Sequence, residues 1–167
     1  MPQTDNSAKA RFLRNYERET ATTLRVMHAY PVDKTDFRPH ERSNNALHLG
    51  WTFVVEQAML LRALRGEDMF GSGYGKPPEN WQGILDAFKG ARTDVMSELG
   101  KPENQDLDGS VVFMVAPKQK GEVPLADFVE FMLGDQIHHR GQLSVYLRMA
   151  GGKVPSIYGP SADEPWM

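Results

Sequence analysis

From Leu125 to Met149 the chain keeps a helical beat. Leu125, Phe128, Met132, Asp135, His139, Gln142, Tyr146 and Met149 recur every three or four positions, as expected of a helix that buries one stripe against its neighbours. The middle of that stripe is a carboxylate, an imidazole and an amide. Burying such groups alone costs several kcal/mol, so they must pair with one another, hold a metal or do chemistry.

Three further helical segments precede it. The first runs over Lys9–Ala29 with Phe12, Leu13, Tyr16, Leu24 and Met27 on one side, and stops before Pro31, because a residue preceding proline is pushed out of the α region. The second runs over Ser43–Arg65, with Ser43 as N-cap, Gly66 beyond its end and a seam of Leu47, Trp51, Val54, Ala58 and Leu61. The third spans Pro78–Leu99, seamed by Trp81, Ile84, Phe88, Ala91 and Val95, and ends at Gly100. A glycine-rich link at Asp68–Pro77 is long enough to cross over. The apolar run Val111–Val115 predicts one short extended piece that cannot found a sheet alone, and the proline-broken tail from Val154 predicts an arm packed back on the bundle.

One domain of 167 residues is expected, an all-α four-helix bundle. A net charge of -3 argues against nucleic acid as the partner, and no apolar run reaches the roughly 20 residues of a membrane span. The start, Met1-Pro2-Gln3-Thr4-Asp5, has neither a basic nor an apolar leader region, which predicts a cytoplasmic location. With no cysteine in the chain, any metal must be held by His, Asp or Glu.

Asp135 and His139 stand one helical turn apart on the same face, the spacing that lets two side chains share one ion. His48, beside the seam of helix two, is the residue a bundle can bring opposite them. Two imidazoles and a carboxylate would leave coordination positions open for substrate. The competing arrangement has His48 bonded at the core edge and Asp135 paired with Arg140 or His139. His138 lies about 100° around the helix from the stripe; it and Gln142 are candidates to orient a ligand. His28 and His40, at a helix end and in a loop, are expected to cap or to face solvent. Gly134 and Gly141 suggest close approach by a neighbour, and Leu133 and Ile137, apolar away from the stripe, suggest a homodimer face.

The string His138-His139-Arg140-Gly141-Gln142-Leu143, followed by Tyr146-Leu147-Arg148 and Val154-Pro155-Ser156-Ile157-Tyr158-Gly159-Pro160, resembles the end of DinB-family proteins of the DinB/YfiT-like superfamily. With four helices and His48, the resemblance covers nearly the whole chain. It implies up-down-down-up topology, often a homodimer, and a divalent-metal site built from one histidine of helix two and an H-x-x-x-H pair of helix four. Carried over, these are His48 and His139, with Asp135 standing where the family has its other histidine. It also implies a small-molecule substrate and a metal, zinc or nickel first and iron or manganese next, that activates a low-molecular-weight thiol. The expected function is a metal-dependent S-transferase, or a related transferase or hydrolase. The alternative is a non-catalytic dimeric metal-binding stress-response protein.

Overall fold

Helix boundaries are set by caps. In the computed structural model, which describes residues 7–104 and 106–167, Ser7 accepts from Ala10 N to start α1 (Ala8–Ala29). Asn45 accepts from His48 N to start α2 (Ala46–Leu64), and Asn80 from Gly83 N to start α3 (Trp81–Leu99). Asn45 takes the capping place expected of Ser43, two residues later than the sequence suggests. The fourth helix, α4 (Leu125–Met149), follows Pro124 without a side-chain cap. Two helices close on glycine in the left-handed region, Gly66 (φ 66) and Gly151 (φ 83). In each case the residue after the glycine donates back across the last turn, Glu67 N to Arg62 O and Gly152 N to Leu147 O. The leader reading at Met1–Asp5 lies outside the described residues.

The core divides into two clusters along the helices. One joins the start of α1 (Phe12, Tyr16), the ends of α2 and α3 (Leu60, Leu64, Val95, Leu99) and the start of α4 (Phe128, Val129, Met132). The other joins the end of α1 (Val26, Met27), the starts of α2 and α3 (Leu49, Phe53, Trp81, Ile84) and the end of α4 (Leu143, Leu147).

The link between α3 and α4 is more ordered than its sequence suggests. Val111–Val115 belongs to β1 (Ser110–Ala116), which pairs antiparallel with β2 (Gln119–Pro124). A two-residue loop, Pro117-Lys118, joins them, with Lys118 at φ 62, a turn position that usually takes glycine. The tail is tied down as expected: Arg25 donates to Ser156 O, and Val154 N and Ser156 N donate to Asp163 and Glu164.

Where α2 crosses α3 the helices meet at Gly50. A Cβ there would lie 2.7 Å from Trp81 Cζ3 and 3.2 Å from Ile84 Cγ2. Trp81 is buried and its Nε1 donates to Met27 O at 2.8 Å, so the ring cannot retreat without breaking that bond. Gly50→Ala should therefore destabilise by about 1–3 kcal/mol despite alanine's better helix propensity. Urea denaturation measures this, and an unchanged midpoint would mean that the crossing can open.

Candidate metal centre

The rotation of α2 decides which of its side chains meet α4. Its buried face is Ala46, Leu49, Gly50, Phe53, Val54, Glu56, Gln57, Leu60, Ala63 and Leu64, so Glu56 and Gln57 point inward; of the expected seam Val54 is buried, and Leu47, Trp51, Ala58 and Leu61 are only half-buried. Gln57 is satisfied across the core by the Tyr16 hydroxyl, which donates to its Oε1. Glu56 faces the middle of α4.

There Glu56 Oε1 lies 2.5 Å from His139 Nδ1, and Asp135 Oδ1 lies 3.9 Å from the same nitrogen. One ligand atom from each of Glu56, Asp135 and His139 falls within 4.8 Å of the others, the separation of groups that share one ion. Glu56 is 3% exposed, and its second oxygen, Oε2, is buried with no hydrogen-bond partner among the described residues. An orphaned carboxylate oxygen beside an imidazole and a second carboxylate is costly unless something positive completes it. The donor set fits a divalent cation. His139 is held in place by Phe53, whose ring meets it edge-on at 6.4 Å and is itself braced by Phe88.

The electrostatics agree. Burial pushes the Glu56 carboxyl up to about 7 against the pull of His139, with the charge of Asp135 adding to the rise. The bond to Glu56 raises His139 in turn, against burial. In the metal-free protein the pair therefore holds a proton near neutral pH, the proton that a cation would displace.

Of the sequence candidates, Asp135 and His139 come together and His48 does not join them. His48 is exposed in the first turn of α2, where its Nδ1 lies 2.7 Å from Asn45 Oδ1. Eight residues separate it from Glu56, about 12 Å of helix rise. Its ring stands beside the helix cap, and Glu56, rather than His48, is the α2 side chain that faces Asp135 and His139. His138 is exposed and accepts from Gln142 Nε2 at 2.8 Å. Gln142 also borders a cavity of about 380 Å³ that opens beside His139, with Ser43, Asn44, Thr52 and Tyr146 around it. Glu56 was missed because α2 is apolar on nearly all sides, so its pattern does not fix which face turns inward. A seam drawn through Phe53, Leu60 and Leu64 shows Glu56 and Gln57 interrupting it, the signal that singled out Asp135 and His139 on α4.

A second buried polar cluster lies one step around α4. Arg140, 1% exposed, donates to Glu19 Oε2 at 2.8 Å, to Glu19 O at 3.1 Å and to the Tyr158 hydroxyl at 2.6 Å, and that hydroxyl donates to Glu19 Oε2. The α4 core stripe therefore passes through Gln136, Arg140 and Leu143 rather than through Asp135, His139 and Gln142, which border it. Asp135 accordingly does not pair with Arg140.

A sequence model of the DinB family matches residues 1–166. The chain belongs to the DinB family. Two solved structures share the fold of this DinB protein. One is a DinB-like protein from Bacillus cereus ATCC 10987, at a TM-score of 0.72 and 20% identity over 88% of this chain and 95% of the other. The other is the DinB-like protein YjoA from Bacillus subtilis, at 0.66 and 14% over 87% and 96%. The uncharacterized protein YrdA of Bacillus subtilis (strain 168) is 44% identical over 43 residues, 26% of either chain, so the match spans about a quarter of that relative's length. No helix among the described residues is long and apolar enough to cross a membrane.

Proposed function

We propose that this DinB protein is a divalent-metal-dependent enzyme on an up-down-down-up four-helix bundle, with Glu56, Asp135 and His139 as the protein ligands. The orphaned Oε2 of Glu56 inside that group is the observation that carries it. Three protein ligands leave coordination positions for a small molecule, as catalytic sites do. When bound, the ion supplies Lewis acidity that acidifies a thiol or a water brought to it. The proton that Glu56 and His139 share leaves as the ion arrives. Thr52, Asn44 and Gln142 offer hydroxyl, carbonyl and amide groups to orient a substrate in the cavity beside His139.

A low-molecular-weight thiol is the proposed co-substrate, because the cysteine-free chain has no sulfur nucleophile of its own, and S-transfer or a related metal-assisted transfer or hydrolysis is the proposed reaction. Two carboxylates and one imidazole form a harder set than two imidazoles and one carboxylate. Manganese or iron therefore become as well suited as zinc or nickel. The test is a thermal-shift series with the metal-loaded protein against a panel of thiols. A ligand of the native state raises the melting temperature, so at least one thiol should raise it in the loaded protein and none in the metal-depleted one. A flat response to every thiol would contradict the thiol proposal while leaving the metal site to its own test.

A second reading, a non-catalytic dimeric metal-binding stress-response protein, draws on Val145 and Met149, both 55% exposed on α4. Leu133 and Ile137 give no support to it, because Leu133 is buried in the protein's own core and Ile137 packs against that core. Gly134 and Gly141 are exposed, and a Cβ on either would meet nothing within 4 Å, so no described neighbour uses the close approach they permit.

A further inference from the structure

At the opposite end of α4 from the tail, the hairpin folds over the helix's first two turns and leaves a cavity of about 280 Å³. Three phenylalanines line it. The ring of Phe113 from β1 lies 5.1 Å from that of Phe128, at 71°, and 6.1 Å from that of Phe131, at 55°. Phe131 is 54% exposed, which keeps the cavity open to solvent. Asp127 is the one charged residue in the lining, and its carboxylate has no hydrogen bond or ion pair among the described residues. The same aromatic cluster already carries one cation on its far side: Phe70 stacks on Phe113 at 6.3 Å, and Lys120 Nζ sits 3.7 Å from the Phe70 ring centroid.

We infer that this cavity is a binding site for a small organic cation, an alkylated ammonium group seated against Phe113, Phe128 and Phe131 with Asp127 as its counter-charge. The negative faces of aromatic rings attract a cation within about 6 Å of their centroids, and the attraction grows when the cation is weakly hydrated. Methyl groups on nitrogen provide that weak hydration and fill the apolar walls given by Val115 and Val123. Asp127 selects against anions. An inorganic divalent ion is disfavoured because such ions ask for several oxygen ligands and this lining has one carboxylate. The site shares no residue with the Glu56 group and needs no metal.

Choline and its uncharged carbon isostere 3,3-dimethylbutan-1-ol are the probes, titrated calorimetrically into the metal-depleted full chain. Choline should bind saturably and the isostere about fivefold or more weaker, since shape is kept and only the charge is lost. Asp127→Asn and Phe131→Ala, both at exposed positions, should each weaken choline by about fivefold with helical circular dichroism unchanged. Equal binding of the two probes, or unchanged choline affinity in Asp127→Asn, would reduce the cavity to an apolar hole and overturn the assignment. So would a wild-type dimer that Phe131→Ala dissolves, because a second copy would then cover the rings.

Discussion

Arg140→Ala should unfold a large share of the population at moderate denaturant, at a cost of about 3–5 kcal/mol out of the roughly 5–15 kcal/mol that holds a domain of this size together. The buried guanidinium is the partner of Glu19 and of the hydroxyl of Tyr158, which reaches in from the tail. Burial alone would raise the Glu19 carboxyl, but the bonds from Tyr158, Arg140 and Arg18 together hold it below the usual value. Remove Arg140 and the buried Glu19 keeps only the largely exposed Arg18 as a cation, on its other oxygen. Arg140→Lys should recover only part of the loss, since one ammonium cannot replace two guanidinium nitrogens, Nη2 on Glu19 Oε2 and the Tyr158 hydroxyl and Nη1 on Glu19 O. The depressed Glu19 pKa fixes the sign of its pH dependence: its stabilisation is present above the unfolded carboxyl pKa and is lost as pH falls through the folded one. Urea midpoints for the wild type and both variants test this. A shift below about 1 kcal/mol in Arg140→Ala would place the cluster at the surface in energetic terms.

Glu56→Gln should remove a pH dependence of stability from the metal-depleted protein. Glu56 titrates near 7 when folded and near the ordinary 4.5 when unfolded, so between those values the folded state binds the extra proton, and stability falls as pH rises. His139, also raised, contributes with the same sign. Relative to Glu56→Gln, the depleted wild type should lose up to about 3 kcal/mol between pH 4.5 and pH 8. Saturating metal should cancel the loss, because the ion takes the place of the proton and binds more tightly as pH rises. Parallel urea curves for the two proteins across that range would show that Glu56 does not titrate in the fold.

The helices were legible where apolar residues mark a single face. In α3 the expected seam residues Trp81, Ile84, Phe88 and Val95 are buried, and Gly66 closes α2 as anticipated. Periodicity failed on α2 and α4 for one reason: both carry apolar residues on more than one side, so several stripes fit and the sequence does not choose their rotation. On α4 the alternatives differ by one residue, which exchanged Asp135, His139 and Gln142 for Gln136, Arg140 and Leu143 as the core line. On α2 the same ambiguity hid Glu56 and promoted His48. The second strand was illegible because Gln119–Glu122 is polar and its turn places a lysine where glycine is the usual signal.

The most direct test of the metal centre is calorimetric titration of manganese and zinc into metal-depleted wild type, Glu56→Gln, His139→Ala and His48→Ala at one pH above 7. One ion per chain is expected for the wild type and for His48→Ala, with binding about tenfold or more weaker in Glu56→Gln and in His139→Ala as one ligand of three is lost. Full-strength binding by Glu56→Gln together with its loss in His48→Ala would contradict the account, and would return the α2 ligand to the histidine at the start of the helix.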